Sequence, residues 1–86
     1  MFNGIIFNQG LVKKITKKAQ GINLFLKSNL KMKKKDIGIS ISCDGVCLTL
    51  INNKNKLMEF YLSNETIQRS KLKNTRLYDS INLELP

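Results

Sequence analysis

Ser40, Ser42, Cys47 and Thr49 are the residues of this chain whose types and spacing are best suited to chemistry. Three hydroxyls and a thiol can hydrogen-bond a polar ring, and an ionised thiol can also attack an electrophilic carbon. They lie in Ser40-Ile41-Ser42-Cys43-Asp44-Gly45-Val46-Cys47-Leu48-Thr49, which reads as two strands joined by Asp-Gly. Asp-Gly accepts positive φ at both central positions, as a two-residue hairpin loop requires. Counting outwards from the turn pairs Cys43 with Val46, Ser42 with Cys47, Ile41 with Leu48 and Ser40 with Thr49. Paired residues share a face and faces alternate along a strand. One face is then Ile39, Ile41, Cys43, Val46, Leu48 and Leu50, an apolar set suited to a core. The other carries Ser40, Ser42, Cys47 and Thr49. The plainer reading of these groups is a solvent face of small hydroxyls and a small buried sulfur, since free cysteines are usually packed and inert.

Other chemistries are closed by composition. The chain has no histidine, which removes imidazole acid–base catalysis, Ser-His triads and histidine metal sites. Cys43 and Cys47 lack a second pair to complete a zinc tetrahedron, so no metal is expected. On opposite hairpin faces they are also not expected to form a disulfide. The glycines at 4, 10, 21, 38 and 45 are scattered and form no phosphate-binding loop. Glu65 stands out among few carboxylates, because backbone amides near a helix start can anchor it.

The 86 residues provide one modest core, expected as a single domain over 1–86. Apolar residues at 42% and charged residues at 24% describe an ordinary globular chain. No apolar run spans a bilayer and no signal peptide is evident, so a cytoplasmic, reduced setting is expected. The net charge is +9, concentrated in Lys13-Lys14, Lys17-Lys18 and Lys31 to Lys35. This is either a footprint for an anionic partner or a solvated surface in a Lys- and Asn-rich chain. No aromatics interleave with the lysines, as a single-strand platform would need, which disfavours nucleic acid.

The elements that must position the hairpin are short strands between turn signals. Ile5 to Phe7, Leu11 to Ile15, Ile22 to Leu26, Ile37 to Cys43, Val46 to Ile51, Leu57 to Leu62 and Ser80 to Leu85 read as strands. Asn52 to Lys56 reads as a polar turn, and 28–35 as a short helix or an irregular basic loop. Met58, Phe60 and Leu62 share one face, as do Ile81, Leu83 and Leu85. Ser63 is a candidate N-cap for a short helix from Asn64 to Ser70. This pattern predicts an all-β barrel or sandwich.

The hairpin decapeptide, together with Met1-Phe2-Asn3-Gly4-Ile5-Ile6, resembles the N-terminal barrel of riboflavin synthase (alpha chain). That family opens with Met-Phe-Thr-Gly-Ile and carries a Ser-x-x-x-Asn-Gly-x-Cys-Leu-Thr hairpin. Glu65-Thr66-Ile67-Gln68-Arg69-Ser70 resembles its Glu-Thr-Leu-Arg-Arg-Thr block, and Asp79-Ser80-Ile81-Asn82-Leu83-Glu84 its Asp-x-Val-Asn-Leu-Glu block. The blocks fall in order along nearly the whole chain. Asn3 stands where the family has Thr, Asp44 where it has Asn, Ile39 where it has Asp, and Tyr78 where it has Gly.

The resemblance implies an all-β, six-stranded antiparallel Greek-key barrel with one or two short helices. It implies binding of 6,7-dimethyl-8-ribityllumazine and riboflavin, in a dismutation of two lumazines to riboflavin and 5-amino-6-(ribitylamino)uracil. No metal or organic cofactor takes part. Ser40 and Cys47 match catalytic positions. Ligand contacts carry over to Phe2, Gly4, Ile5, Ile6, Cys47, Leu48, Thr49, Tyr61, Leu62, Ser63, Asn64, Glu65 and Thr66, with backbone groups reading the pyrimidinedione edge. The family has two barrels in tandem and its site lies between barrels of different subunits; the residues here make one. The chain is therefore either part of a longer enzyme or a lone barrel that pairs with a second copy as a homodimer or higher homo-oligomer. A non-catalytic flavin or lumazine carrier is the alternative, and a basic nucleic-acid-binding barrel a further one.

Overall fold

In the computed structural model, residues 8–86 are described, and six antiparallel strands close into a barrel in the order β1-β2-β5-β4-β3-β6. The strands are β1 (Asn8–Lys18), β2 (Gly21–Ser28), β3 (Ser40–Cys43), β4 (Val46–Lys54), β5 (Leu57–Ser63) and β6 (Ser80–Glu84). One α-helix, α1 (Asn64–Gln68), follows β5. Strands β3, β4 and β5 are successive hairpin neighbours, and β6 returns by a long connection to lie beside β3. That is Greek-key connectivity. Closure gives each of the six described strands two neighbours.

The core follows the alternation written in the sequence. Leu24 and Leu26 of β2, Ile41 and Cys43 of β3, Leu48 and Leu50 of β4, Met58, Phe60 and Leu62 of β5, and Ile81 and Leu83 of β6 are all buried. Ile39 and Val46, the outer members of the apolar hairpin face, pack part-buried against them. Val12 enters the core from β1. A bulge between Val12 and Lys14 then shifts the register, so that Ile15, three residues on, pairs with Leu24 and packs against the core. An extra residue in one strand restores an inward side chain after an odd spacing. Leu72, in the 3-10 turn Lys71–Asn74, is buried with the barrel core.

Several boundaries differ from the sequence expectations. The first described strand is one continuous β1 rather than a separate Leu11–Ile15 piece. The expected strand Ile5–Phe7 lies outside the described residues. β3 begins at Ser40, not Ile37, because Gly38 takes a φ of 102° and turns the chain there. β4 runs on through Asn52 and Asn53 to Lys54; the turn needs only Asn55 and Lys56, both at positive φ (56° and 64°). The segment after β2 is irregular with a 3-10 turn at Lys34–Asp36, where an Asp36 carboxylate oxygen accepts from the Lys33 amide. The helix ends at Gln68, two residues short of Ser70. β6 ends at Glu84, which leaves Leu85 exposed rather than inward.

Candidate functional site

The hairpin register is the one counted from the Asp-Gly turn: Cys43↔Val46, Ser42↔Cys47, Ile41↔Leu48 and Ser40↔Thr49. Asp44 and Gly45 take φ of 50° and 84°, the left-handed pair that a tight hairpin demands. Asp44 also links the hairpin to β6. Its amide donates to the Asn82 carbonyl and its carboxylate accepts from the Asn82 amide, both at 2.8 Å. With only Ser42↔Glu84 and Cys43↔Leu83 in the β3–β6 ladder, this side-chain bond lengthens the seam that closes the barrel.

Ser40, Cys47 and Thr49 are exposed on the outer face, with Ser42 half-buried among them. Ser40 faces Thr49 directly and lies diagonal to Cys47, within reach of one small ligand. Cys43 points the other way, into the core, where its thiol donates to the Ile41 carbonyl at 3.6 Å. Burial, and after it the charges of Asp44 and Cys47, push the Cys43 thiol up to about 12. The two sulfurs therefore have separate roles in the fold: Cys43 is packing, and Cys47 is the accessible thiol.

The feature that sequence reasoning missed is on the other edge of β4. The β4–β5 ladder runs from Lys54↔Leu57 to Leu50↔Phe60, with a register shift between Leu50 and Asn52. Past Leu50↔Phe60 both strands continue, β4 to Val46 and β5 to Ser63, without further pairing to each other among the described residues. Each remains held on its far side, β4 by β3 and β5 by β2. Among the described residues, the backbone groups of Cys47 and Thr49 on β4 and of Tyr61 and Ser63 on β5 thus face one another without a ladder between them. Unpaired strand edges are templates for an extended hydrogen-bonding partner. Leu48 and Leu62 bury their side chains in the core. Strand alternation turns their main chain to β3 and β2, so Cys47, Thr49, Tyr61 and Ser63 carry the backbone groups that face the seam.

At the end of this seam α1 begins. The Ser63 hydroxyl accepts from the Thr66 amide and donates to the Thr66 hydroxyl, an N-cap as expected. The Asn64 amide donates to the Gln20 carbonyl and ties the helix start to the β1–β2 hairpin. Glu65 departs from expectation: its carboxylate pairs with Arg69 at 3.0 Å, in the open, instead of being held by helix amides. Tyr61 stands exposed on the outer face opposite Asn23, with its hydroxyl close to Gly21. The structure therefore gathers Ser40, Cys47, Leu48, Thr49 and Tyr61 to Thr66 along one seam at one end of the barrel. Phe2, Gly4, Ile5 and Ile6 lie outside the described residues. Ser40, Cys47, Thr49 and Tyr61 are all exposed, so among the described residues the seam is an open face. No cluster of metal-ligating side chains occurs among the described residues, and no helix among them is long and apolar enough to cross a membrane.

The six strands place the chain in the class of small closed antiparallel Greek-key β-barrels. A family model for the lumazine binding domain matches residues 3–86, and the chain belongs to that family.

Proposed function

We propose that this chain is a riboflavin-synthase-type barrel that binds 6,7-dimethyl-8-ribityllumazine and riboflavin along the β4–β5 seam. The observation that carries the reading is the ladder's end at Leu50↔Phe60, beside the Ser40, Cys47 and Thr49 face. A pyrimidinedione edge alternates carbonyl acceptors and N–H donors, the pattern that an unpaired strand edge complements. Backbone recognition leaves side chains at Tyr61, Ser63 and Asn64 free to vary, while Ser40, Thr49 and Cys47 lie against the reacting rings. In the full reaction one lumazine donates a four-carbon unit to the other, giving riboflavin and 5-amino-6-(ribitylamino)uracil. No metal or organic cofactor is needed. Acceleration comes from holding two rings together and excluding water.

The exposure of Ser40, Cys47 and Thr49 sets a condition on catalysis. A face open to solvent binds a ring but does not shelter two, so turnover requires a second barrel over the seam. That barrel comes from a second copy, in a homodimer or higher homo-oligomer, or from a tandem partner in a fuller assembly. A lone barrel acts as a flavin or lumazine carrier. The test is a fluorescence titration of the purified chain with 6,7-dimethyl-8-ribityllumazine and with riboflavin, read with its mass in solution and with riboflavin formed on prolonged incubation. Binding with turnover only in the associated form supports the synthase reading; binding without turnover in any form leaves the carrier. No binding by a folded chain removes both.

A further inference from the structure

Lys27, Lys31, Lys33, Lys34, Lys35, Lys54 and Lys56 gather at one end of the barrel. At the end opposite the seam, two adjoining grooves of about 470 and 380 Å³ share Lys27, Ser28 and Asn29. The larger is completed by Lys31, Lys56 and Asn53 over an apolar floor of Leu30 and Met32. A smaller groove of about 150 Å³ beside them holds Lys54 and Phe25. Lys33–Lys35 stand on the same end, where the Asn53 side-chain amide donates to the Met32 carbonyl and fixes the loop to β4. All these lysines are exposed. The one ion pair among the described residues is Arg69–Glu65, at the other end. The two nearby carboxylates are already engaged: Asp36 with the Lys33 amide, and Glu59, which lines the small groove, with the Asn23 amide. The fold also supplies the aromatic that lysine spacing lacked, because Phe25 lies under the Lys14 ammonium at 5.2 Å from its ring centroid.

We infer that this end of the barrel is a docking surface for single-stranded nucleic acid, separate from the lumazine seam. The two grooves that share Lys27, Ser28 and Asn29 extend from Gln9–Leu11 of β1 to Asn53 and Lys56, a run of concave surface that suits a flexible phosphate chain better than a flat anionic membrane. Lysines act as point charges on phosphates and do not read base edges bidentately, so recognition is of backbone, without sequence preference. Phe25 offers a ring for one base to stack on. Four lysines line the grooves (Lys27, Lys31, Lys54 and Lys56), which gives a log K against log salt slope of about −3 for a single strand.

The experiment is a salt titration of a labelled oligo-dT of about 12 nucleotides, within the usual span of a small barrel. Two variants of equal charge loss are compared: K27Q/K31Q/K56Q in the groove, and K17Q/K18Q/K73Q at the seam end. The groove variant is expected to weaken binding more than about tenfold at low salt and to reduce the slope to about −1, while the distal variant leaves both near wild type. Phe25→Leu is expected to weaken binding several-fold at unchanged slope. Equal losses in both triple variants would mean that net charge alone attracts the oligonucleotide, and would overturn the site. So would the absence of salt-dependent binding, or capture of phosphatidylglycerol vesicles in preference to the oligonucleotide.

Discussion

Replacing Gly21 by Ala tests whether the close approach of β2 to β5 sets the geometry of the seam. Gly21 opens β2 and pairs with Ser63, at the seam's inner end. Its backbone lies outside the positive-φ set, so alanine meets no conformational strain and the effect is steric alone. A Cβ at this position would lie 2.0 Å from the Leu62 carbonyl oxygen, 2.9 Å from the Tyr61 hydroxyl and 3.0 Å from the Leu62 carbonyl carbon. Carbon and oxygen do not approach closer than about 3.3 Å, so the two strands must separate by more than about 1 Å. The obstacle is backbone, which has no alternative rotamer. Overpacking of this kind costs about 1–3 kcal/mol, and losing a strand-end hydrogen bond adds about 1 kcal/mol. Urea unfolding should therefore show Gly21→Ala destabilised by about 3 kcal/mol, or a melting temperature lower by on the order of 15 °C. The displaced segment is Tyr61-Leu62-Ser63, so lumazine affinity measured by fluorescence should fall at least about tenfold under conditions where the variant is still folded. Gly10→Ala is the comparison, since its Cβ would lie 3.2 Å from Leu26 Cβ, Leu26 Cδ1 and Leu83 Cδ1, a crowding relieved by a shift of tenths of an ångström, and it lies away from the seam. A Gly21→Ala protein within about 0.5 kcal/mol of wild type, binding lumazine unchanged, would refute the steric argument and the place of the seam in binding.

Tyr78 sits at φ 71°, the left-handed region that costs a non-glycine residue about 1–2 kcal/mol. Tyr78→Gly should be more stable than Tyr78→Ala by about 1 kcal/mol in chemical denaturation, a comparison in which both lose the ring that Lys13 covers at 5.8 Å. The buried Cys43 thiol titrates near 12 in the folded chain against 9.0 when free. A raised folded value means the unfolded chain loses its proton first, so stability holds below pH 9.0 and falls by about 1.4 kcal/mol per unit above it. Urea midpoints measured from pH 8 upwards should show this slope in wild type and a shallower one in Cys43→Ala. Asp44→Ala removes the acceptor for the Asn82 amide and should cost about 1–2 kcal/mol, whereas Asp44→Asn keeps both acceptor and turn and should stay within about 0.5 kcal/mol by thermal melting.

The parts of the fold that were legible in the sequence are those governed by nearest neighbours. Asp44-Gly45 dictates a two-residue turn, and a turn of known length dictates register, so all four hairpin pairs follow by counting. The alternation Met58, Phe60, Leu62 identifies an inward face because β5 has no bulge, and all three are buried. The Ser63 cap is legible for the same local reason, since its partner amide is only three residues away. Local rules fail where an extra residue interrupts the period. At Val12 to Ile15 the alternation breaks over one bulge, and at Leu50 to Asn52 over another, so the length of β1 and the reach of β4 were read short.

The second bulge explains why the site itself was only half legible. The hydroxyls and thiol of Ser40, Cys47 and Thr49 announce themselves by type, and the hairpin places them on one face. What the proposed binding rests on is the end of β4–β5 pairing among the described residues at Leu50↔Phe60, and no residue type encodes an absent ladder. Side chains on both strands keep alternating through it: Leu48 and Leu62 are as buried past the last pair as Leu50 and Phe60 are at it. The hydrophobic pattern is blind to whether two inward-facing strands also share hydrogen bonds, because burial is set by the interior they cover. The ladder is set by in-plane spacing, which depends on each strand's other neighbour. Here β3 holds β4 through Ser40–Cys43 while β2 holds β5 through Gly21, and the two outer ladders fix the edges between which the pair stays open. The open seam is thus a property of four strands acting together, and the smallest residue among them, Gly21, sets how far β5 sits from β2.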